Sequence, residues 1–197
     1  MNKADNAIAV EVPRLMSPEK AMGVIEQYTE WIDDVASRYG VPAALIKAIL
    51  YQEMTRMDVL DPLADLAVQV TPGHTRDSST GIAQIFGHVG LAAANYAIDH
   101  ELASYESLGL DTDHRLDAAD PKDVFRVWQK LHDDPKANIE LATLNLLVAA
   151  DEVVGRTDFG SFSDDEIKLV LTRYNANVRH ITAYGEEAFE HYKRFIA

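Results

Sequence analysis

Cysteine is absent from the 197 residues, which excludes disulfides, thiolate zinc sites and a cysteine nucleophile. The compartment stays open, because such a chain folds equally in reducing or oxidising surroundings. Basic charge is scarce: 18 Lys plus Arg stand against 32 Asp plus Glu, a formal net charge of −14. General nucleic-acid binding needs a basic face, and so does a basic membrane-surface helix; both are excluded. Long apolar runs are missing too, and no segment approaches the ~18 residues of a membrane span. Near the start, the apolar patch Ala7-Ile8-Ala9-Val10 is too short for the hydrophobic core of a secretory signal. There is no internal repeat and no low-complexity tract. What is present is ordinary for a folded core: 47% apolar and 25% charged residues. The length suits one domain, with residues 1–15 as an arm or linker and 16–197 as the folded unit.

Helix signals follow one another along that unit. Ser17-Pro18-Glu19 offers an N-cap followed by proline at the first helical position. Val24, Tyr28, Trp31, Ile32, Val35 and Tyr39 then recur at helical steps, with Gly40 as a stop and Pro42 opening the next helix. Asp120-Pro121 and Asp134-Pro135 repeat the cap-then-proline device, and Ser163-Asp164-Asp165-Glu166 is a capping box. Residues 138–154 are apolar almost all round, which predicts a central helix. Residues 55–80 hold two prolines, Gly73 and the β-prone run Leu66-Ala67-Val68-Gln69-Val70, and residues 107–120 are polar. The expected fold is mainly α, a helical bundle with at most a small β-hairpin near residues 60–80.

Ile46, Ile49, Leu50 and Glu53 sit at i, i+3, i+4 and i+7, so they share one helical face. On a stripe of this kind a carboxyl group is desolvated, its pKa rises, and it becomes a candidate general acid near neutral pH. The other reading ends the stripe before Glu53 and leaves it solvated, as most glutamates are. Ile167, Val170, Leu171 and Tyr174 repeat the spacing. Tyr174 therefore also closes a core-facing stripe, either toward a cleft or as a core tyrosine with its hydroxyl at the surface.

Four segments stand in a particular order: Ala43-Ala44-Leu45-Ile46-Lys47-Ala48-Ile49-Leu50-Tyr51-Gln52-Glu53, then Ser78-Ser79-Thr80-Gly81-Ile82-Ala83-Gln84-Ile85, then Asn138-Ile139-Glu140-Leu141, then Arg173-Tyr174-Asn175-Ala176-Asn177. This order resembles the lysozyme-like lytic transglycosylase and goose-type lysozyme family, over about residues 38–195. The resemblance implies a lysozyme-like fold and makes Glu53 the catalytic acid. It places Gly81, Ile82 and Gln84 along the sugar groove and Tyr174 and Asn175 beside the acid. Departures from the family pattern are Met54 for the usual Ser, Ala83 for Met, Asn177 for Gly, and Ala142 and Asn145 for Gly and Tyr.

The implied activity is cleavage of the β-1,4 bond between N-acetylmuramic acid and N-acetylglucosamine in peptidoglycan, by hydrolysis or by a route giving a 1,6-anhydro product, with no cofactor and no metal. A hydrolytic route wants a second group to handle water, and the loop after Glu53 offers Asp58, Asp61, Asp65 and Asp77. Asp77 ranks first because it precedes the Gly81–Gln84 segment; Asp58 ranks second, just beyond the helix. The expected place of action is the periplasm or cell wall, reached through a secretion machine, a phage or a parent polypeptide. An antibacterial effector domain with an immunity protein as partner fits that expectation. The alternatives are a non-catalytic member that binds glycan or protein in the same cleft, and an acidic helical adaptor in which Glu53 is structural. Other constellations fall short. Residues 111–120 begin like a calcium loop but lack its glycine and its closing glutamate, with Arg115 at a ligand position. The seven histidines, His74 among them, form no His-Glu-x-x-His pair, and no nucleophile elbow or phosphate loop is present.

Overall fold

Helix caps written into the sequence set most of the boundaries. The computed structural model describes residues 15–57, 65–70 and 77–197 in full and the backbone of 61–64. The expected arm, Asp58 and His74 lie outside the described residues, apart from Leu15 at the arm's end; so does the side chain of Asp61. Ser17 caps α1 (Pro18–Gln27) by accepting from the Lys20 amide. The run read as one amphipathic face is two helices, because the chain breaks at Tyr28 before α2 (Thr29–Tyr39). The Thr29 hydroxyl donates to the Ile25 carbonyl at 3.0 Å, and back-bonding of this kind bends a helix. Gly40, at φ 68°, ends α2 in the left-handed region that only glycine enters freely. Pro42 opens α3 (Ala43–Arg56).

The segment read as β-prone, Leu66 to Val70, is helical and belongs to α4 (Asp61–Val70). Its alternating Val and Leu pattern loses to side-chain bonds made by the helix. Ser78 and Thr80 hydroxyls donate to Asp65 at 2.8 and 3.0 Å, and the Gln69 amide meets the His132 ring at 2.8 Å. The small hairpin lies just downstream: β1 (Ser79–Thr80) pairs antiparallel with β2 (Ile85–Phe86), Thr80 opposite Ile85.

After α5 (Gly87–Asp99) comes the irregular polar stretch, held by its own contacts. Arg115 binds Asp99 in a bidentate pair at 2.6 and 2.8 Å, and Asp117 accepts from the Ala119 amide. Asp120 and Asp134 then cap α6 (Pro121–Asp133) and α7 (Pro135–Val154). The capping box at Ser163 starts α8 (Asp164–Asn175), and α9 (Ala183–Ile196) closes the chain. The fold is mainly α with a two-stranded sheet, as expected.

Helix α7 is the axis. Nearly every residue from Ala137 to Ala150 is buried, and α2, α3, α5, α6 and α8 pack around it. Helix α9 closes the bundle by packing on both α3 and α8. Arg38 and Tyr39 from α2 meet the buried Glu140 carboxylate of α7 at 2.5 and 2.6 Å, so this charge inside the bundle is paired and hydrogen-bonded. Among the described residues no helix is long and apolar enough to cross a membrane.

Candidate functional site

A cleft of about 650 Å³ opens where the last turn of α3, the hairpin, the start of α5, the C-terminal half of α7, the end of α8 and the start of α9 converge. Glu53 enters it from α3. The residues flanking it in sequence, Gln52 and Met54, are fully buried, whereas Glu53 is only half-buried. The stripe therefore turns out of the core at the carboxylate, where a helix end meets the cleft. Met54, standing where the family pattern has Ser, packs in the core and takes no part in the cleft wall.

The Tyr184 hydroxyl donates to Glu53 Oε1. Tyr184 is 5% exposed, and its phenol is held well above its ordinary pKa, first by burial and then by the Glu53 charge and this hydrogen bond. It therefore stays protonated, and a donor, across the usual pH range. The Arg56 guanidinium lies over the Tyr184 ring at 5.1 Å from its centroid and pairs with Glu187. Tyr184 escaped the sequence reading. The signal was there, since Tyr184 and Ala188 lie one turn apart on the buried face of α9. Tyr184 is thus a third polar residue closing a core stripe.

Tyr174 also lines the cleft, but its hydroxyl donates to the Ala83 carbonyl at 2.9 Å and not to Glu53. Burial first, and then the Glu53 charge, hold its phenol well above the ordinary value. Asn175 is exposed at the cleft edge. Gln84 presents its amide to the cleft from a left-handed backbone, φ 44°, rare for a residue with a Cβ. That amide is fixed at both ends, donating to the Gly81 carbonyl at 2.8 Å and accepting from Ser79 Oγ at 3.1 Å. Strain of this sort is retained where a side chain must be aimed.

Gly81 and Ile82 do not line the cleft; they build the turn that aims Gln84. Asn138, wholly buried, holds that turn: its Oδ1 accepts from the Ala83 amide at 2.8 Å, and its Nδ2 donates to the Thr80 carbonyl at 3.0 Å and the Leu131 carbonyl at 3.3 Å. A Cβ on Gly81 would stand 2.2 Å from Asn138 Nδ2, so the glycine is required by close approach as well as by its φ of 73°. Ala83, standing where the family pattern has Met, is buried beneath the turn and takes no part in the cleft wall.

Asp77 is brought near the cleft but does not line it. Its carboxylate accepts from the Gly87 and His88 amides at 2.7 Å each and from His88 Nδ1 at 2.5 Å. It caps α5 and holds the His88 ring, and His88 forms the wall in its place. Asp58 lies outside the described residues. The second carboxylate lining the cleft is Glu152, which pairs with Arg173 at 2.5 Å. Asn145 contributes a buried amide from α7, and Phe86 an exposed ring beside His88. Arg56, Phe86, His88, Asn145, Glu152 and Arg173 all escaped the sequence reading of the site. Among the described residues no group of three or more His, Asp or Glu stands ready to hold a metal. With Arg56, Arg173 and His88 beside Glu53 and Glu152, the cleft is electrically mixed within a strongly acidic molecule. It suits proton transfer to a polar, largely uncharged ligand. Comparison with family models, with curated proteins and with solved structures gives no match.

Proposed function

We propose that the protein is a peptidoglycan glycosidase that cleaves the β-1,4 bond between N-acetylmuramic acid and N-acetylglucosamine, with Glu53 as general acid. The observation that carries this reading is the Tyr184–Glu53 hydrogen bond inside a cleft that also gathers Gln84, Tyr174 and Asn175. These are four of the positions at which the sequence resembles the lysozyme-like family, together with a donor that holds the acid in place. A carboxyl group that is half-buried, oriented by a buried phenol that donates to it and open to a cleft meets the geometric requirements for protonating a leaving oxygen. Gln84, with its amide fixed at both ends, would bind sugar hydroxyl or acetamido groups. Asn145 and Asn175 add amides to the opposite helices, and Phe86 offers an exposed ring on which a sugar face stacks. The domain would work at the cell wall.

Purified protein and its Glu53→Gln variant, incubated with cell-wall sacculi, test the reading. Wild type should release soluble muropeptides and the variant should not. Absence of soluble product from wild type would remove the enzyme reading and leave a glycan- or protein-binding role for the cleft.

A further inference from the structure

The geometry points to His88 as the residue that activates water in this cleft, with Asp77 as its positioning residue, so that cleavage is hydrolytic. This rests on the glycosidase reading above. Asp77 Oδ2 accepts from the His88 amide and from His88 Nδ1, and Oδ1 accepts from the Gly87 amide. A carboxylate accepts only, so Nδ1 must carry the proton. In the neutral ring Nε2 is then a bare acceptor, the arrangement that fixes an imidazole as a base. His88 lines the cleft, its side chain is 55% exposed, and its ring makes no second hydrogen bond among the described residues.

Elimination points the same way. Among the described residues lining the cleft, the carboxylates and imidazoles are those of Glu53, Glu152 and His88. Glu53 is assigned to the leaving oxygen, and Glu152 is engaged by Arg173. The position of His88 in the bundle also suits the task. Helices α3, α9, α8, α7 and α5 pack in that order, each on the next. Glu53 belongs to α3 and His88 to α5, so the two side chains reach the cleft from different helices.

The step balances without a co-reactant other than water. His88 Nε2 takes a proton from water as the water oxygen bonds to the anomeric carbon of the muramoyl residue. The bond from that carbon to the glycosidic oxygen breaks, and Glu53 supplies the proton to that oxygen. The imidazolium and the Glu53 carboxylate then reset by exchange with solvent. Asp77, bonded to the ring, steadies the imidazolium charge as it forms.

Products from sacculi are read by mass for wild type, His88→Gln, Asp77→Asn and the double variant. Wild type should give reducing muropeptides, and His88→Gln should lose them by about 100-fold or more with an unchanged melting transition. The double variant should be no worse than His88→Gln, since residues acting as one unit are not additive. Soluble products from wild type lighter by one water, marking an anhydro end, would overturn this inference and leave the glycosidase reading standing. Retention of wild-type hydrolysis by a folded His88→Gln would do the same. No soluble product from wild type would overturn both.

Discussion

At the scale of single residues, the site turns on the Glu53 carboxylate and the Tyr184 hydroxyl that donates to it. Glu53 was legible because a carboxylate on an apolar stripe is anomalous, and Tyr174 because it closes a second stripe. Asp77 does not itself line the cleft; spacing along a chain carries no information on which way a short side chain turns. Two backbone amides and an imidazole at Gly87 and His88 claim its carboxylate. Tyr184 was missed because its role depends on α9 packing against α3, a contact between residues 131 positions apart. Its importance is open to measurement. Hydrogen bonds to charged groups contribute about 1.5–3 kcal/mol, so Tyr184→Phe should lower kcat on peptidoglycan by about 10- to 100-fold. KM should move little, because Tyr184 bonds the acid and not the sugar. A Tyr184→Phe enzyme with wild-type kcat would show that Glu53 is oriented by something else.

Elements were read most reliably where a side chain caps its own helix. Ser17, Asp120, Asp134 and Ser163 each bond the amides the sequence assigned to them. The failures came where elements are set by distant partners. Helix α4 is helical despite its β-prone residues, because Asp65 and Gln69 reach β1 and His132 from one helical face. The turn at 81–84 is likewise dictated from outside, by an amide on α7. The Asn138-Ile139 pair was visible as a motif, but its function as the clamp of the Gln84 turn was not, since Asn138 and Ala83 lie 55 positions apart. Asn138→Ala strips partners from the Ala83 amide and the Thr80 carbonyl and leaves a void. The expected cost is about 3 kcal/mol, read as a fall in Tm of about 6–12 °C. Loss of activity should accompany it even below the transition, because Gln84 loses its aim. A variant as stable and as active as wild type would contradict the clamp.

At the scale of the whole molecule, a charge of −14 excluded polyanion binding, and the structure refines that exclusion. The cleft carries cationic groups beside its carboxylates, so local contacts, not long-range steering, must capture a substrate. The alkaline side of stability follows from three buried phenols. Tyr39 is pushed up to about 12, first by burial and then by its hydrogen bond to the Glu140 carboxylate and that group's charge; Tyr174 and Tyr184 are raised as well. A group whose pKa is higher folded than unfolded stabilises fully below the unfolded value and ceases to do so as pH rises through the folded one. Tyr39 alone contributes on the order of 2 kcal/mol that should vanish as pH climbs from about 10 to about 12. Urea midpoints should fall across that window, and less steeply for Tyr39→Phe; a flat profile in wild type would count against the buried Tyr39–Glu140 bond. The central claim concerns Glu53, and digestion of purified sacculi tests it most directly. The account predicts soluble muropeptides from wild type and none from an equally stable Glu53→Gln variant. Equal release by both proteins would contradict it.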